Sequence, residues 1–138
     1  MEKYFMKRTT IDWFESARSD LQIIERILDD AHLTHQLAFH AQQAIEKSFK
    51  AVIEEYNLGL IKTHSLETLY GKIKNILPEV IHSDHLIILD QLYLDARYPG
   101  ELGLLPDGKP SLNESHNFYS LALKVFEAAQ QACHAGGQ

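Results

Sequence analysis

Apolar residues between Thr10 and Asp30 fall at Ile11, Phe14, Ala17, Leu21, Ile24 and Leu28. Steps of three and four place them on one stripe, which predicts a first helix. From about Leu33 to Tyr56 the apolar positions Leu37, Ala41, Ala44, Ile45, Ala51 and Val52, with Phe49 beside them, fill one continuous arc. His40, Gln43, Glu46, Lys47 and Lys50 fill the opposite arc of this second helix. Asn57 and Gly59 then break the pattern, as residues tolerant of positive φ do beyond a helix end.

A hydroxyl at Thr63 or Ser65 is placed to cap a third helix carrying Leu66, Leu69, Tyr70, Ile73 and Ile76. Pro78 suits the first turn of a fourth, with Val80, Ile81, Leu86, Leu89 and Tyr93 as core positions and an end before Arg97. Prolines and glycines concentrated from Tyr98 to Pro110 predict a long loop. Ser111 and Glu114 then form a capping box, opening a last helix through Leu121, Val125 and Phe126 to about Cys133, beyond which the tail should fray. No alternating strand pattern competes. Helices joined mostly by short loops predict an all-α fold, an antiparallel up-and-down bundle of four to five helices.

Composition narrows this further. A chain of 138 residues supports one core, so residues 1–138 read as a single domain. No apolar run approaches the roughly 20 residues of a bilayer span, and Met1 to Thr10 lack a secretory apolar stretch, so the expected location is cytoplasmic. Cys133 is the only cysteine, which excludes an internal disulfide and a cysteine metal site. A formal net charge of -6 argues against extensive nucleic-acid binding, since that affinity comes from neutralising lysines and arginines.

Candidate chemistry concentrates on the polar arc of the second helix. Gln43, Glu46, Lys47 and Lys50 lie three and four residues apart, so they project from one side. Glu46 and Lys50 alone make an ordinary i, i+4 ion pair worth about 0.3–0.5 kcal/mol on a solvated face. In the functional reading Lys47, Lys50 and Arg97 converge on a phosphate while Gln43 or Tyr98 meets a base or sugar. His64, at the start of the third helix, sits where a helix N-terminus favours anions, though capping and packing are its simplest role. His82, Asp84 and His85 lack the spacing and the further ligand of a metal site, and no cofactor is expected. Serine-nucleophile, phosphate-loop and zinc-protease motifs are absent, so no catalytic residue is assigned. Trp13, Phe14, Phe39, Phe49, Phe118 and Phe126 read as core, whereas Tyr98 in the loop is placed to line a pocket. Leu102, Leu104, Leu105 and Leu112 are apolar for a loop and are expected to fold back or meet a second copy.

The segment from Phe39 to Ala51, followed by Thr63-His64-Ser65-Leu66 and by Arg97-Tyr98-Pro99, with Trp13, Asp20 and Leu21 in the first helix, resembles the HEPN domain family. That resemblance implies a nucleotide- or phosphate-binding helical protein, a homodimer, acting with a nucleotidyltransferase partner in a regulatory or toxin–antitoxin setting. The family also contains metal-independent ribonuclease toxins, marked by an arginine, four to six intervening residues and a histidine near the start of a late helix. Here the next histidine after Arg97 is the distant His116, and only Arg26 to His32 matches the spacing, at the end of the first helix. An RNA-cleaving protein with an atypical site and a non-catalytic interaction module are therefore the alternatives.

Overall fold

The computed structural model describes residues 5–77, 81–97 and 109–135, with Ala96, Arg97 and Ala135 placed by backbone. Helix α1 (Arg8–Ile27) buries Phe14, Ala17, Leu21 and Ile24 from its apolar stripe. Its first turn lacks a side-chain cap of its own. Instead the Glu55 carboxylate accepts from the Lys7 backbone N–H at 3.1 Å and from the Thr10 hydroxyl at 2.8 Å. An acid from the next helix thus meets a donor that the α1 backbone leaves open.

A single 3-10 turn, Ala31–Leu33, leads into α2 (Thr34–Glu55), its start fixed by Asp30 accepting from the His32 N–H at 2.9 Å. Asn57 at φ 54° and Gly59 at φ 81° then turn the chain out of α2, which is the left-handed step their positions predicted. Helix α3 (Leu66–Ile73) is capped by the Ser65 hydroxyl, which accepts from Thr68 N–H. The α4 helix (Ser83–Arg97) packs Leu86, Leu89 and Tyr93 inward. The last helix, α5 (Leu112–Ala135), opens on the expected capping box: Ser111 N–H donates to Glu114 at 2.9 Å and Glu114 N–H donates to the Ser111 hydroxyl at 3.0 Å.

The five helices form an all-helical bundle, and the described residues include no strand. α2 lies at its centre, packed by α1, α3, α4 and α5. α1 runs antiparallel to α2 and to α5, with the Phe14 and Phe126 rings edge to face at 5.7 Å. α2 and α5 run in the same direction: Lys109 reaches His32 at one end, and the Tyr56 hydroxyl donates to the Ala132 carbonyl at the other. None of the helices, over the described residues, is long and apolar enough to cross a membrane.

The structure moves several expected boundaries. α4 begins at Ser83 rather than Pro78; Pro78 and Val80 lie outside the described residues. It runs through Arg97, which therefore belongs to the last turn of a helix and not to the loop. Helix α5 continues two residues past Cys133. Leu112 is exposed on the first turn of α5, while Leu102, Leu104 and Leu105 are outside the described residues. The largest departure concerns α2, whose polar arc is not a solvated face. Because other helices flank this arc, Gln42, Glu46 and Lys50 are buried and His40, Gln43 and Lys47 are half-buried.

Candidate functional site

Burying charge costs free energy unless every charged group finds a partner, and the α2 arc meets that condition through two carboxylates. Glu46, with its side chain 5% exposed, is the first. Its Oε2 accepts from Lys50 Nζ at 3.0 Å, and its Oε1 lies 3.1 Å from His64 Nδ1. The same Oε1 accepts long contacts from the Gln42 and Gln43 amides, each at 3.4 Å. Gln42 also donates to the His64 carbonyl at 2.8 Å, which fixes the segment before α3 against α2. On its other side Lys50 lies 5.4 Å from the centre of the Trp13 ring, a cation–π contact from α1.

Asp20 is the second carboxylate, its side chain 8% exposed. It projects from α1 and divides its two oxygens between α2 residues one heptad apart. Lys47 Nζ donates to Oδ2 at 2.7 Å, and His40 Nδ1 lies 2.8 Å from Oδ1. Positions 40 and 47 lie nearly over one another on a helix, so a single acid can serve both. An ionised carboxylate only accepts, so each imidazole presents an Nδ1–H to its acid and turns Nε2 away from it. Aromatic rings line the space between the two centres. His64 packs on Tyr93 at 5.5 Å, Tyr93 stacks on Phe39 at 5.4 Å, and Phe39 meets His40 edge-on at 5.3 Å.

Of the residues expected from sequence, the structure brings Gln43, Glu46, Lys50 and His64 into one network. Lys47 shares their helix face but is bound to Asp20. Both lysine ammonium groups are thus already matched by carboxylates, which the reading of two free cations converging on a phosphate did not anticipate. His64 does not cap α3; Ser65 does, and the imidazole reaches α2. The Arg97 backbone stands one turn beyond Tyr93 on α4, and Tyr98 lies outside the described residues. Arg26 is exposed on the last turn of α1, and His32 Nδ1 is met by Lys109 Nζ at 2.9 Å. His82 and His85 touch edge-on at 5.8 Å, away from this network.

Sequence reasoning left His40 and Gln42 out of the site and gave Asp20 no role in it. Two of these carried a readable signal. Asp20 stands three residues after Ala17 and four before Ile24, and Gln42 four after Ala38 and three before Ile45, so each polar group interrupts a buried stripe.

The sequence model of the HEPN domain matches residues 10–133, nearly the whole chain and every element that builds this site. The chain belongs to the HEPN domain family. No curated protein and no solved structure matches it. Within this HEPN domain, the carboxylate-centred network joins α2 to Asp20 of α1 and to His64 before α3, all inside the matched residues.

Proposed function

We propose that this HEPN domain binds a phosphate-bearing ligand of the nucleotide class over the polar face of α2, and acts as a homodimer beside a nucleotidyltransferase partner. The observation that carries the ligand reading is the pair of carboxylate-anchored imidazoles, His40 on Asp20 and His64 on Glu46. Fixing Nδ1 on an acid leaves Nε2 turned to the ligand, where only a second proton, making the ring an imidazolium, lets it donate to a phosphate, and His64 is 57% exposed. An incoming phosphate meets these imidazoles and the Gln43 amide first, and gains the ammonium groups of Lys47 and Lys50 by exchange with Asp20 and Glu46. Arg97 contributes a guanidinium suited to phosphate, and Tyr98 a ring for base or sugar.

The homodimer is supported by Ile87 and Leu94, seven residues apart on α4 and each about half exposed, 46% and 49%. Both side chains are apolar and open to a second copy, on either side of the exposed Gln91. The nucleotidyltransferase partner rests on the family resemblance.

The test is a thermal unfolding series with millimolar ATP, GTP or UTP. A ligand that binds only the folded state raises the melting temperature, by about 2.7 kcal/mol of stability at a hundredfold excess over Kd. A shift with none of the three overturns the ligand reading. Failure to co-purify with a co-expressed nucleotidyltransferase encoded in the adjacent gene, or the lack of one there, counts against the partner.

A further inference from the structure

α4 and α5 both pack on α2 without packing closely on each other, and between them lies a cavity of about 420 Å³. Its walls are two helical rows. His82, just before α4, and His85 and Ile88 in its first turns follow at three-residue steps, and Glu114, Phe118, Leu121 and Lys124 follow at steps of three and four along α5. The α5 row from Glu114 to Lys124 spans ten residue steps, about 15 Å at 1.5 Å per residue. A cleft of that length, open along one side, suits a piece of secondary structure better than a compact small molecule.

The lining has the anatomy of such a groove. Phe118 and Leu121 form a half-buried apolar floor, and Ile88 is 50% exposed at the edge. Its charged ends are of opposite sign. Glu114 stands at one end, with one oxygen accepting from Ser111 N–H. Lys124 stands at the other, exposed and in no ion pair among the described residues. All these residues lie away from the α2 network, and nothing in the proposed ligand site uses them.

We infer that this groove docks an amphipathic helix of another protein, with an apolar stripe at i, i+3/i+4 and i+7 spacing, an acidic residue at the Lys124 end and a basic residue at the Glu114 end. Apolar anchors on Phe118, Leu121 and Ile88 supply the affinity, and the two charges set its direction along the groove.

The probe is a fluorescein-labelled synthetic helical peptide about four turns long, with a leucine stripe, glutamates at one end and lysines at the other, followed by fluorescence anisotropy against the full chain. Saturable binding is expected, weakened roughly tenfold or more in Ile88→Asp, a substitution at an exposed site that leaves the melting temperature in place. Lys124→Glu should weaken the same peptide and restore binding to a peptide with lysines at both ends. Lack of saturation with the wild-type protein overturns the inference, as does binding indifferent to both substitutions. Light scattering on wild type, Ile88→Asp and Leu94→Asp decides the remaining occupant: a wild-type dimer split by Ile88→Asp and left intact by Leu94→Asp, which lies outside the groove, assigns the groove to a second copy and overturns the heterologous helix.

Discussion

Replacing Glu46 by alanine removes the acceptor shared by Lys50, His64 and the two glutamine amides. The Lys50 side chain is only 10% exposed, so its ammonium is left with the face of Trp13 and no counter-charge. Breaking a buried pair from one side costs about 3–5 kcal/mol, and the partial access at this site puts the expected loss near the lower end, about 3 kcal/mol. At about 2.1 cal/mol/K per residue, unfolding this chain carries roughly 0.3 kcal/mol/K, so the melting temperature should fall by about 10 °C. The double variant Glu46→Ala/Lys50→Met removes the stranded charge and should recover most of that loss. Chemical denaturation with both variants measures the two steps. A single-variant loss below about 1 kcal/mol would mean that the pair behaves as a solvated surface pair, and would refute the buried network. A double variant no more stable than the single one would place the cost in packing rather than charge.

Three further outcomes follow from other parts of the bundle. Burial, then the nearby Glu55 carboxylate, pushes the Cys133 thiol up to about 12. It should therefore resist Ellman's reagent at pH 8 until denaturant is added, and its contribution to stability, full below the ordinary thiol value of 9.0, should be lost as pH rises from there towards 12. Ser111→Ala removes the forward half of the α5 capping box and should cost about 1 kcal/mol by chemical denaturation, with the α5 amides next to the cap losing hydrogen-exchange protection first. His35 is held below the usual imidazole value of 6.5 by burial first, then by Lys109 and His32. The unfolded chain then binds the proton more readily, so this residue's contribution is present above 6.5 and lost as pH falls below it; a His35→Gln variant should show a flatter stability profile across that range.

The helices were legible because their signals are local. Apolar steps, the Ser65 cap, the Ser111–Glu114 box and the break at Asn57 and Gly59 each depend on residues within a turn or two. The start of α4 was not, because Pro78 satisfies the sequence rule for a first turn while the described helix begins five residues later. The site was legible by half. Spacing on α2 placed Gln43, Glu46, Lys47 and Lys50 on one side, but periodicity within a helix cannot say whether a polar side meets water or another helix. Here it meets Asp20 and Trp13 from α1 and His64 from the segment before α3, partners 27, 37 and 18 residues distant in sequence along their contacts. Such contacts appear only once the chain is folded. The exceptions are Asp20 and Gln42, polar residues in the middle of buried stripes.

In the proposed ligand site the network presents the Nε2 atoms of His40 and His64 to a phosphate-bearing ligand. The most direct measurement is a nitrogen-15 spectrum of the histidine rings, assigned by single substitutions, during a titration with ATP. Saturable shifts of the Nε2 resonances of His40 and His64, with His134 at the far end of α5 unmoved, are the predicted result. Ring resonances at His40 and His64 that stay fixed through millimolar nucleotide would rule out a ligand site over α2.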